Sequence, residues 1–123
     1  MKTATINEKE FQFVFNANTA ELYYQVFGED LIELTLKMRQ ENDKTIFHKR
    51  SRLQKMAFIA NMQAEKSIKE LSNRLTMAMY FEWSEQFDAG EFIAGTDANE
   101  AVLTGWVESF ASTAIEKNRI SPQ

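Results

Sequence analysis

The chain has 123 residues, 44% hydrophobic and 12% aromatic, with ten Phe, four Gly, one Pro and no Cys. That suits one folded domain with one core (residues 1–123) and excludes disulfides, thiolate metal sites and cysteine nucleophiles. A net charge of -4 gives no general attraction to nucleic acid, and no window approaches the roughly 18 apolar residues that span a bilayer.

The first ten residues, MKTATINEKE, hold no apolar stretch of signal-peptide length, so a cytoplasmic chain is expected. Residues 3–6 and 11–15 are β-prone runs separated by Asn7-Glu8-Lys9-Glu10, with Phe11, Phe13 and Phe15 recurring at period two. A β-hairpin over residues 1–16 with one aromatic face is expected. A lone hairpin is marginal in water, so that face must pack on the following helices.

Asn18 with Glu21 fits a capping box and opens a first helix, in which Leu22, Val26 and Phe27 share a face and which Gly28 is placed to end. Asp30 with Glu33 repeats the pattern, and Leu31, Ile32, Leu34 and Leu36 carry a second helix to about Lys37. Residues 39–44 are wholly polar and read as a loop or frayed helix end, the main flexible connection. Leu53, Met56, Ala57, Ala60, Ala64, Ile68 and Leu71 recur at spacings of three and four, predicting one long helix over roughly 49–74. Phe58, Ile59 and Met62 lie off that stripe, so this helix belongs at the centre of the fold.

Leu75, Met79, Trp83 and Phe87 are spaced by fours, with Met77, Tyr80 and Phe81 widening the apolar face of a fourth helix that Asp88-Ala89-Gly90 ends. Asp97 with Glu100 opens a fifth helix to about Lys117, along which Val102, Trp106 and Phe110 form a row beside Leu103 and Val107. Residues 118–123 are expected to fray. The predicted fold is mainly α: a short N-terminal β-hairpin, then about five helices over residues 17–117 in a compact bundle.

The chemistry is sparse. His48 is the single histidine, has no second ligand at helical spacing, and reads as a solvated surface side chain. Gly28, Gly90, Gly95 and Gly105 are too dispersed for a phosphate-cradling loop. Helix starts and exposed helical faces account for the carboxylate pairs Glu29/Asp30 and Glu82/Glu85, and no G-x-S-x-G turn lifts a serine. No catalytic residue, metal ligand or cofactor is expected, and the chain reads as a binding protein rather than an enzyme.

Charge is unevenly spread. Seven of the fourteen Lys and Arg lie between Lys37 and Lys55, whereas residues 75–116 hold eight Asp and Glu and no Lys or Arg. Lys49, Arg50, Arg52 and Lys55 are candidates for a charge patch, through which copies could associate head to tail into a homo-oligomer. The alternatives are ordinary solvated faces, or a small adaptor or nucleic-acid binder using residues 48–55; against the last, the run lacks interleaved aromatics. Trp83, Phe87, Phe92, Trp106 and Phe110 concentrate large aromatics in the acidic third, as core or as a partner-binding surface.

The hairpin followed by FQFVFNANTAELYYQVFGEDLIEL, the helix LQKMAFIANMQAE, and MAMYFEWSEQFDAGEF leading to the Trp106 helix together resemble the tail assembly chaperones of long-tailed siphophages, the lambda G-like group and its counterparts in phages of Gram-positive bacteria. The resemblance covers most of the chain and rests on patterns. It implies a non-structural protein of the host cytoplasm that binds the tape measure protein, keeps its apolar helices soluble during virion assembly, and is absent from the mature virion. It also implies a longer product, made by programmed frameshift, whose extra domain contacts the tail tube protein. Glu116-Lys117-Asn118 can be encoded by a run of adenines of the slippery type.

Overall fold

Alternating burial builds the first element. In the computed structural model, which describes residues 1–111, β1 (Lys2–Ile6) and β2 (Lys9–Phe13) pair antiparallel, with Lys2 opposite Phe13 and Ile6 opposite Lys9. Asn7 and Glu8 make the connection at φ 52° and 66°, the left-handed pair that matches the twist of a two-residue hairpin. Ala4, Ile6, Phe11 and Phe13 face inward, while Thr3, Thr5, Glu10 and Gln12 face water. The strand ends at Phe13, two residues before the expected end. The Val14 N–H leaves the ladder to donate to the carbonyl of Ala60 (3.0 Å), and Phe15 is only half-buried.

Helix α1 (Ala17–Phe27) starts two residues earlier than the Asn18/Glu21 pattern predicts. Asn16 is its cap: its side-chain oxygen accepts from the Asn18 N–H (2.9 Å), and the Asn16 N–H donates to Thr19 Oγ1 (3.0 Å). Gly28 ends it at φ 73°. Helix α2 (Leu31–Glu41) is capped by Asp30 as expected, but it runs on through Arg39 to Glu41 and stops at Asn42, φ 50°. The polar stretch stays helical because its inner side is covered: Met38 is half-buried, and the Arg39 guanidinium lies 5.2 Å from the centre of the Phe110 ring.

The single long helix predicted over residues 49–74 is three pieces. A 3₁₀ segment (Ile46–Ser51) breaks at Lys49, which is extended, and at Arg50 and Ser51, both left-handed. Helix α3 (Arg52–Glu65) then ends where Lys66 turns extended. Ser67 opens the short α4 (Ile68–Leu71) in a reciprocal cap with Glu70. The apolar stripe crosses these breaks unchanged because Leu53 and Leu71 point to the same core from separate segments.

Helix α5 (Met77–Ser84) is capped by Thr76, whose Oγ1 accepts from the Met79 N–H (3.2 Å), and ends three residues short of Phe87. Helix α6 (Asp97–Ala111) is opened by Thr96, which accepts from Asn99 N–H (3.2 Å), so Asp97 is its first residue rather than its cap. The predicted extension to Lys117 and the expected frayed tail lie outside the described residues.

The architecture is therefore mainly helical, with an N-terminal antiparallel hairpin and, among the described residues, six α-helices and one 3₁₀ segment. Helix α3 is central: residues 56–62 are all buried, and the helix packs against β2, α1, α5 and α6, while β1 lies on α6. Two indole N–H groups inside this core find partners. Trp83 donates to Asn61 Oδ1 (3.0 Å), whose amide donates to the Gln12 carbonyl (2.9 Å). Trp106 donates to Thr35 Oγ1 (2.8 Å), whose hydroxyl donates to the Leu31 carbonyl (2.7 Å).

Candidate functional site

The five aromatics considered as a partner surface are inside. Trp83, Phe92, Trp106 and Phe110 are 8%, 7%, 2% and 3% exposed. Phe87 is half-buried between Phe11 (5.2 Å between ring centres), Trp83 (4.7 Å) and Phe92 (5.3 Å). These rings form part of the core because they interlock edge to face and the indole N–H groups are satisfied inward. They leave no apolar face of their own for a partner.

The apolar surface lies beside them, on α5. Six of its eight residues are apolar or aromatic, yet only Tyr80 and Trp83 are buried. Tyr80 packs against Phe27 (5.1 Å) and Phe58 (5.6 Å), Trp83 packs against Phe58 (5.6 Å), and Gln54 donates to Ser84 Oγ (3.2 Å). This pins the helix along one narrow line. A turn of about 100° per residue sets Ala78, Glu82 and Glu85 along the opposite crest. Met77 and Phe81 fall on one flank, and Met79 falls on the other. Phe81 is 60% exposed and Met77 38%. On the Met79 flank an open cavity of about 280 Å³ is lined by Phe58, Met62, Met79, Glu82 and Trp83. Helical spacing of the large aromatics pointed away from this surface. Its signal in the sequence is the unbroken run MAMYF, wider than one helix face can bury.

The four basic candidates separate. The fork of Arg52 holds Glu29, with Nε 3.1 Å and Nη2 2.7 Å from Oε2, while Nη1 donates to the Ile46 carbonyl (2.8 Å). Tyr23 donates to Glu29 from the other side (3.1 Å). Hydrogen bonding to Arg52 lowers the Glu29 carboxyl below its ordinary range, and burial followed by the Glu29 charge pushes the Tyr23 phenol up. Lys55 lies over the Phe27 ring at 5.4 Å. Arg52 and Lys55 are thus structural, which corrects their assignment to a free charge patch; the guanidinium matched a carboxylate that the fold brings from the turn after α1.

Lys49 and Arg50 do project to solvent, beside an open cavity they share with Lys37 and Asp43. His48 is exposed, with its Nδ1 3.3 Å from the Asn99 amide. Among the described residues, no group of three or more His, Asp or Glu is placed to hold a metal ion, and no helix is long and apolar enough to cross a membrane.

Fold and surface together define a small, mainly helical protein with a β-hairpin and one apolar helix turned outward. No family model, curated protein or solved structure matches the chain.

Proposed function

We propose that this chain is a non-catalytic tail assembly chaperone of a long-tailed bacteriophage. It binds the tape measure protein in the host cytoplasm, keeps that protein's apolar helices soluble while the tail tube polymerises, and leaves before the virion matures. The observation that carries the reading is the outward apolar surface of α5, in which Met77, Met79 and Phe81 are not buried and Met62 and Met79 line an open cavity. Methionine is flexible and polarizable, so such a surface suits apolar helices of varied sequence, bound in the helix-in-groove manner. The sequence resemblance supplies the identity of the partner.

A longer frameshifted product that reaches the tail tube protein belongs to the same proposal. It is ruled out if the codons around Glu116 hold no slippery heptamer and no downstream frame overlaps. Co-expression with the tape measure protein of the same phage tests the main reading. The tape measure protein should move into the soluble fraction and co-purify with this chain, and the double variant Met77→Asp/Phe81→Asp should lose that effect. A tape measure protein equally soluble without this chain overturns the proposal.

A further inference from the structure

The exposed surface of α5 is apolar and anionic at once. Glu82 and Glu85 stand on its crest between the Met77/Phe81 flank and the Met79 flank, and Glu82 also forms part of the wall of the 280 Å³ cavity beside Met79, Met62, Phe58 and Trp83. Neither carboxylate has a Lys or Arg partner among the described residues. No cation occurs in sequence from Leu75 to Glu116 to supply one from this segment. Asp88 is exposed just beyond the helix, adding a further negative charge. An apolar groove bordered by unpaired carboxylates is complementary to a helix that carries Lys or Arg along the edge of its apolar face. It also repels an anionic lipid surface, which such an apolar helix would otherwise resemble a site for.

Resting on the reading of α5 as a helix-binding surface, we infer that its partner segment is a cationic amphipathic helix. One or two apolar side chains of that helix enter the cavity beside Met79, and its Lys or Arg residues, one turn away, pair with Glu82 and Glu85. The carboxylates set which helices bind and in which direction they lie, because the apolar flanks by themselves accept any hydrophobic helix. The pairs lie at the rim and are therefore salt-sensitive.

Three labelled peptides of about 18 residues, long enough to hold a helix, test this on the full chain by fluorescence anisotropy. One is an amphipathic Leu/Lys helix, one the matching Leu/Glu helix, and one a Lys/Ser peptide with no apolar face. The Leu/Lys peptide should bind at least about tenfold more tightly than either other, and the margin should shrink between about 50 mM and about 500 mM salt. The variant Glu82→Lys/Glu85→Lys changes two exposed side chains, and circular dichroism checks that it remains folded; it should reverse the preference to Leu/Glu. Equal binding of the Leu/Lys and Leu/Glu peptides, binding of Lys/Ser as tight as Leu/Lys, no binding of any, an unreversed preference in the variant, or binding to phosphatidylserine vesicles overturns the inference. If the peptides behave as expected and the tape measure protein is unaffected, the chaperone reading falls and this surface stands; if the tape measure protein is solubilised and the peptides show no preference, the reverse holds.

Discussion

Helices α5 and α6 come from the same acidic, aromatic third of the chain, and both carry a tryptophan with a phenylalanine four residues on. Their fates differ. Helix α6 lies on both β1 and α3, and it buries Ala98, Val102, Trp106 and Phe110. Helix α5 has only α3 as a substantial neighbour, and beyond Tyr80 and Trp83 its apolar side chains stay at the surface. Spacing of aromatics thus identifies a helix with something to bury, and the number of neighbours decides how much of it is buried. The unburied remainder on α5 is where a partner has most to gain.

Predictions on the α6 side carry the largest effects. Trp106→Ala removes a nearly fully buried ring and leaves Thr35 without its indole donor, and should cost about 4 kcal/mol in urea unfolding. Gly105→Ala tests how closely α6 approaches the hairpin: a Cβ there would sit 2.6 Å from Phe15 Cδ2 and 3.0 Å from Lys2 Cγ. It should cost about 2 kcal/mol by overpacking; an unchanged midpoint would mean that Phe15 swings away freely.

The turn between α1 and α2 gives a smaller, pH-dependent effect. Glu29→Gln breaks the charged pairing with Arg52 and should cost about 1.5 kcal/mol at pH 7. Because the folded carboxyl is held below its ordinary value, its contribution is fully present above the unfolded value of about 4.3. It is lost as pH falls through the lower folded value. Wild type should therefore lose stability on acidification more steeply than Glu29→Gln; parallel acid limbs would remove Glu29 as a cause.

The smallest stability effect is expected on α5. Phe81→Asp alters a side chain that is 60% exposed and should shift unfolding by within about 0.5 kcal/mol. It should nevertheless weaken co-purification with the tape measure protein, the opposite ratio of folding to binding from Trp106→Ala. A large loss of stability in Phe81→Asp would show that α5 is held by more than Tyr80 and Trp83.

The sequence by itself determined the type and order of the elements. Period-two Phe11 and Phe13, the Asp30 cap, the αL glycine at Gly28 and the three-four spacing through Leu53 to Ala60 are local signals, each read within one or two turns of chain. Where local signals competed, the boundaries moved: Asn16 displaced Asn18 as a cap because Thr19 completes the reciprocal pair, and an apolar stripe shared by α3 and α4 concealed the turn at Lys66. Tertiary structure alone decided which apolar residues are covered and which cations are free. Arg52 is joined to Glu29 across 23 positions and Trp106 to Thr35 across 71, and no local spacing encodes such partners. Burial depends on how many elements pack on a face, a property of the assembled chain, and that is why α6 closed over its aromatics while α5 kept an apolar surface exposed.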